Sequence, residues 1–384
     1  MMSKPARLST LADLADATLC PRLVIKVGSA LLVDKDGPRR AWPTALMAEI
    51  AAAKQRGQDV IVVSSGAIAL GARRLKLEKG GRGSLADAQA AAAVGQIALS
   101  GLWAELLGAH GLTAAQLLLT LEDLEDRRRY LNVTATLTRL LDAGAVPVIN
   151  ENDSVATQEI RFGDNDRLAA RVAQAARADA VLLLSDVDGL YDRHPSQPGA
   201  QLLPVVTGVT DDIRAMASPV SGSGMGSGGM ISKLQAAEIA ELAGIALAIG
   251  NGTKDKPIAR VIEQGIATLF LPRAARARSA ARKAWLGGRL RLKGSLVVDA
   301  GAVRALGEGA SLLAAGITAV EGHFQRGDAV AIKAQDGVVI AHGLCEYDAG
   351  ECASLLGRQS AEHAAILGYA PRPAIVHRDQ LVMV

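Results

Sequence analysis

Lys26-Val27-Gly28-Ser29 places a cation and then a glycine at the end of a short apolar run, Leu23–Val27. A lysine at the carboxyl end of a strand, followed by a glycine turn, can reach a phosphate held by loop N–H groups; taken alone, it better suits an ordinary surface position. Ser64-Ser65-Gly66-Ala67 follows a second apolar run and precedes a helical stretch. Its hydroxyls and backbone donors suit a carboxylate or phosphate, and just as well an N-cap made by Ser65. Asn150-Glu151-Asn152-Asp153 ends a further apolar run with four consecutive polar side chains, more than a turn requires. Arg161-Phe162-Gly163-Asp164-Asn165-Asp166 then leads into a helix. Asn and Asp at such edges can bind the ammonium and carboxylate of an amino acid. Singly, Asp164 or Asn165 also suits a turn or a cap.

Two further segments suit a nucleotide. Ser221–Lys233 is glycine-rich and runs directly into a helical stretch. Gly224, Gly226 and Gly229 satisfy GxGxxG, but no strand precedes them, and the GK[ST] of a Walker loop is absent. An anion cradle with Lys233 near a helix N-terminus remains, against a plain linker. Ser185-Asp186-Val187-Asp188-Gly189-Leu190-Tyr191 offers acids to a ribose or nucleotide face, or forms a simple strand-to-helix turn. Cys20, Cys345 and Cys352 make no CxxC pair, which argues against zinc and for a reducing compartment; no metal ligands are assigned.

The elements that must position these residues follow from periodicity. Leu23–Val27, Val60–Val63, Gln116–Leu119, Ala145–Asn150, Ala180–Leu184 and Ile245–Ile249 lack polar alternation, as strands buried on both faces do. Between them lie helical periods at Asp87–Gly108, Leu131–Ala143, Asp166–Ala176 and Ser232–Ala243. Alternation on this scale predicts an α/β fold, a mostly parallel sheet sandwiched between helices, which binds ligands at the carboxyl ends of its strands. Between Pro272 and Gly294 stand eight basic residues and no acid, a boundary. Leu296–Val298, Ala329–Ile332, Val338–Ala341 and Ala374–His377 then read as short strands, with a hairpin signal at Asp336-Gly337 and a helix over Ala349–Gly357. The predicted organisation is a tail over 1–20, a catalytic domain over 21–275, a basic linker over 276–294 and a small β-rich, barrel-like domain over 295–384.

Composition narrows the function classes. In 384 residues, 49% hydrophobic and 21% charged exclude a disordered chain, and a net charge of +3 implies no polyanionic partner. With 3% aromatics, stacking platforms for nucleic acid are scarce. Asp13 and Asp16 interrupt any apolar targeting segment, and no run reaches the ~20 apolar residues of a membrane span, so a soluble, cytoplasmic protein is expected.

Together these segments resemble the amino acid kinase family over nearly the whole chain. The resemblance rests on Lys26–Ser29, Ser64–Ile68, Val146–Ala156, Gly163–Asp166, Asp186–Tyr191 and Gly226–Lys233. The region from Ser295 is similar to a PUA domain, with Ile366–Tyr369 and Val376–Asp379 near its end. The resemblance implies phosphoryl transfer from ATP, with Mg²⁺, to the γ-carboxylate of L-glutamate; N-acetylglutamate and aspartate are the alternative acceptors. It implies that Lys26 and Lys233 contact the transferring phosphate and that Asp166 orients them. Ser65, Asp153 and Asn165 would bind glutamate, Asp153 pairing with its ammonium and Asn165 donating to a carboxylate. Ser185, Asp186 and the run Ser227, Gly228, Gly229, Met230, Ile231, Ser232 and Lys233 would lie on the nucleotide. Ile231 departs from the small hydroxyl residue common at that place, which puts one phosphate or metal contact in doubt. A homo-oligomer, and the next enzyme of the pathway as a partner, are also implied.

Feedback inhibition by proline is implied too, with Leu121–Asp126 and Thr157–Phe162 as walls of its pocket. Asp123 and Glu159 are its first candidates, unless both are ordinary surface acids. PUA domains often bind RNA, but residues 295–384 carry six basic and ten acidic residues, which leaves only the linker as a basic patch.

Overall fold

The structure, a computed structural model, describes residues 8–34, 37–39, 41–155, 165–217, 229–273, 292–372 and 374–384. The chain divides into two compact units, one of residues 1–125 and 132–275, the other of residues 126–131 and 276–384.

The first unit opens with β1 (Arg22–Val27), α1 (Ser29–Leu32), the small ribbon β2 (Val33–Asp34) and β3 (Gly37–Pro38), and α2 (Ala41–Gln55). Then come β4 (Asp59–Val63), α3 (Ala67–Arg74), α4 (Leu85–Gly108), β5 (Ala114–Leu119), α5 (Leu121–Glu125), α6 (Arg127–Asp142) and β6 (Val146–Glu151). Next are α7 (Asn165–Ala176), β7 (Ala180–Ser185), β8 (Val205–Thr207), α8 (Asp211–Ala215) and α9 (Gly229–Leu242). The unit closes with β9 (Ala246–Asn251), α10 (Pro257–Gln264) and β10 (Ala267–Leu271). Eight strands form one sheet in the order β5-β6-β4-β1-β7-β9-β10-β8. All neighbours are parallel except β9 and β10.

The interior strands β6, β7 and β9 are buried at every position, which explains the apolar runs that precede their polar carboxyl ends. β5 departs from that expectation. It lies at the sheet's edge, so Gln116 and Leu118 face outward. The helices pack by small residues. A Cβ on Gly71 would run into the Ala91 carbonyl, and one on Gly95 into the Ala67 carbonyl, so α3 and α4 meet backbone to backbone. Contrary to the sequence reading, α4 is long and apolar enough by length and composition to cross a membrane. Its Ala91, Leu99, Trp103 and Leu107 are buried within the unit, as in a core helix.

The second unit carries β11 (Gly294–Val298), α11 (Ala300–Gly307), β12 (Ile317–Gly322), β13 (Ala329–Ala334), β14 (Val339–Leu344), α12 (Ala349–Ser354), α13 (His363–Leu367) and β15 (Leu381–Met383). Its sheet runs β12-β11-β13-β14-β15. The expected strand at Ala374–His377 is absent as a ladder. Val376 makes one bridge to Leu312, and β15 takes the edge beside β14 instead. Cys345 and Cys352 are buried free thiols with sulfurs 3.5 Å apart.

Candidate active site

The sheet brings three charges together at the carboxyl end of its centre. Lys26 stands one residue from the end of β1, Asp166 in the first turn of α7, and Lys233 in the first turn of α9. Lys26 Nζ lies 2.6 Å from one Asp166 carboxylate oxygen and Lys233 Nζ 3.0 Å from the other. Side-chain exposures of 12%, 3% and 9% for Lys26, Asp166 and Lys233 exclude the surface-lysine alternative. Ser232 Oγ adds a donor to Asp166 at 3.2 Å. Burial alone would raise the Asp166 carboxyl, but Lys26 and Lys233 hold it well below the ordinary carboxylate range. The cluster thus has two cations on one anion, a net positive pocket suited to a polyanion.

Beside it lies a hydrogen-bonded set of polar side chains. Gly66, at φ +107°, starts α3 as its N-cap and makes no side-chain cap bond. A Cβ there would crowd Val33, so both conformation and space require glycine. Ser65 is therefore not the N-cap. Its Oγ instead accepts from Asn165 Nδ2 at 2.7 Å. The same Nδ2 donates to the Ser64 carbonyl at 2.9 Å and to Asn150 Oδ1 at 3.2 Å. Asn165 thus has its donors engaged by the protein, while its buried Oδ1 has no hydrogen-bond partner. The expectation that Asn165 donates to a carboxylate gives way: what it offers is an acceptor, suited to an ammonium.

Asp153 lies just beyond β6, in a cavity of about 250 Å³ that also takes in Gln96, Gln116, Glu151, Asn152 and Ser154. Burial pushes its carboxyl up to about 6, and the nearby Arg82 charge pulls the other way. A desolvated carboxylate of this kind gains from a cationic ligand.

Ser185 ends β7, which pairs with β1, Asp186 follows it, and Ser185 Oγ donates to Asp186 at 3.0 Å. Gly229, Met230, Ile231 and Ser232 form the first turn of α9 with Lys233, so backbone N–H groups and a buried cation share one helix start. Ile231 is exposed there. Ser227 and Gly228 lie outside the described residues, as does Glu159. Asp123 follows β5, in α5. It accepts from the Thr120 N–H at 2.8 Å and hydroxyl at 2.9 Å, closing the start of α5. A larger cleft of about 750 Å³, lined by Asp192, Arg193, His194, Asp212 and Met216 among others, was not anticipated from the sequence. Gln96 was missed as well. It is one of two glutamines in the largely apolar α4, and nothing in the spacing set it apart from Gln89.

Among the described residues no group of three His, Cys, Asp or Glu is placed to hold a metal ion, and Asp166 is committed to the two lysines. Mg²⁺ fits this site as the companion of a nucleotide, held mainly by phosphate oxygens.

Residues 21–251 match the amino acid kinase family and residues 294–367 the PUA domain. A protein of Novosphingobium aromaticivorans described as glutamate 5-kinase is 70% identical over 378 residues, 98% of this chain and 100% of that one. Proteins of the same description from Sphingopyxis alaskensis and Zymomonas mobilis subsp. mobilis are 61% and 56% identical. Each alignment covers 95% of this chain, and 98% and 91% of the respective relative.

Proposed function

The chain belongs to the amino acid kinase family and to its glutamate 5-kinase branch, and from that premise we propose that it transfers the γ-phosphoryl group of ATP to the γ-carboxylate of L-glutamate. The product is L-glutamyl 5-phosphate, the acyl phosphate that opens the route to proline. The observation that carries the mechanism is the buried Lys26–Asp166–Lys233 cluster.

Donor phosphates and acceptor carboxylate are both anionic, so the reaction is limited by bringing like charges together and by charge shifted onto the leaving oxygen. Two lysines answer that need. At ~4 Å and an effective dielectric near 20, each lysine–phosphate contact is worth about 4 kcal/mol before desolvation. Asp166 fixes both ammonium groups before substrates arrive, so little reorganisation is left for the reaction. The γ-carboxylate oxygen forms the new bond to phosphorus as the β–γ bridging bond breaks, and ADP leaves with that electron pair. No proton moves, because the acceptor carboxylate is already ionised at pH 7, so no general base is required. Mg²⁺, when bound with ATP, supplies further charge neutralisation.

At the other end of the substrate, Asp153 and Asn165 Oδ1 receive the α-ammonium, and Ser65 completes their support. Ser185, Asp186 and the start of α9 face the nucleotide. Proline carries the same α-carboxylate and a cationic amine but no γ-carboxylate, so it competes for that end of the site. Hydroxylamine trapping decides the acceptor: with ATP, glutamate should yield a hydroxamate, whereas N-acetylglutamate and aspartate should not. Preferential turnover of either alternative would replace glutamate as the substrate.

A further inference from the structure

A run of side-chain amides borders the glutamate cavity, and each fixes the polarity of the next. The Ser64 carbonyl can only accept, so the Asn165 atom 2.9 Å away is the amide nitrogen. That nitrogen also faces Asn150 at 3.2 Å, which makes the Asn150 atom there an oxygen. The Asn150 nitrogen then points to Gln96 at 2.8 Å, and Gln96 must answer with Oε1. What Gln96 has left is Nε2, a group with two N–H donors, on a half-buried side chain that lines the same cavity as Asp153. Gln96 is held there by its neighbour. Gly95 packs α4 against the Ala67 carbonyl of α3 with no room for a Cβ, so the backbone under Gln96 is fixed.

An α-ammonium and an α-carboxylate share one carbon, so the groups that receive them must share one cavity. Asp153, which lines the same cavity as Gln96, suits the ammonium. Asn165 is spent as a donor, and the amide run passes donor polarity outward to Gln96. We infer that Gln96 donates from Nε2 to the α-carboxylate of the acceptor amino acid and so selects a substrate that carries one. This rests on the reading of glutamate as acceptor.

Gln96→Glu separates this role from simple support of Asn150. The variant keeps an oxygen for the Asn150 amide but sets an anion against the α-carboxylate. Its glutamate KM should rise roughly ten- to a hundredfold, the span of a lost bond to a charged group, with ATP KM and kcat little changed. An unchanged KM would reduce Gln96 to a prop for Asn150, and a lowered one would place it on the ammonium; either overturns the inference. Gln96→Met provides a second route should the glutamate variant fold poorly. It should weaken glutamate but leave unchanged the inhibition constant of 4-aminobutyrate, which lacks the α-carboxylate, and equal weakening of both would contradict the assignment. Absence of glutamate-dependent ADP release by the unmutated enzyme is a different result, which removes the substrate reading and this inference with it.

Discussion

The two units bury different things. In the second, the core around Leu296, Ile332, Tyr347 and Ile375 is apolar, and the buried polar residues among those described are Ser295, His363 and Gln380. In the first, the carboxyl ends of the strands bury Asn150, Glu151, Asn165, Asp166 and Lys233 together. Burying charge is costly unless it is paired, and a well-packed apolar cluster would serve stability at least as well. Two lysines and a carboxylate gathered at the carboxyl end of the central strands fit the proposed chemistry better than a purely structural role. Among the described residues, the second unit carries no comparable set of buried charges.

The sharpest way to break this contrast is to remove the shared anion. Asp166→Ala leaves two buried cations facing each other and should cost roughly 3–5 kcal/mol of stability along with most activity. Thermal melts with and without ATP measure it, and an unchanged midpoint would refute the account of the cluster. In the unmutated protein this carboxyl is depressed below its ordinary 3.8, so the stability it contributes is present above pH 3.8. It is lost only as pH falls through the lower folded value.

Asp153 should give the next largest effect, on binding. Its carboxyl is raised from 3.8 to about 6. Between those values the folded protein holds a proton that the unfolded chain has released. Its contribution to stability is therefore full below pH 3.8 and falls as pH rises through about 6. Pairing with an ammonium needs the ionised form, so glutamate KM should climb as pH drops below about 6. Asp153→Asn should raise KM at neutral pH and flatten that profile, with ATP affinity intact. A fall in ATP affinity would make the cavity a nucleotide contact.

Smaller effects come from outside the buried cluster. Asp123→Asn keeps a side chain able to cap α5 and should relieve proline inhibition only in part, with kcat nearly unchanged. Inhibition that persists at saturating glutamate would mean a separate regulatory site. Ending the chain at Leu271 should change glutamate turnover least, because every proposed catalytic residue precedes it; an insoluble or inactive product would show that the second unit completes the first.

What could be read beforehand follows the same division. β1, β4, β6, β7 and β9 stood out as apolar runs because burial on both faces forbids alternation. β12, half exposed and carrying Thr318 and Glu321, gave no such run, and α11 was masked by Gly301 and Gly307, which weaken a helical signal. Lys26 and Asp166 were legible as polar residues at the edges of apolar elements. Gln96 was not. Its meaning depends on a bond to Asn150, 54 positions away, and on a polarity set by the Ser64 carbonyl. Spacing along the chain carries no trace of such a relay.

The central claim, that the buried lysines act on the transferring phosphoryl group, is tested most directly by the kcat and glutamate KM of Lys233→Ala, measured beside Lys26→Ala. An interaction made chiefly in the transition state predicts a kcat loss of roughly a hundredfold or more with little change in KM. Near-normal kcat in either variant would remove that lysine from the mechanism and contradict the account.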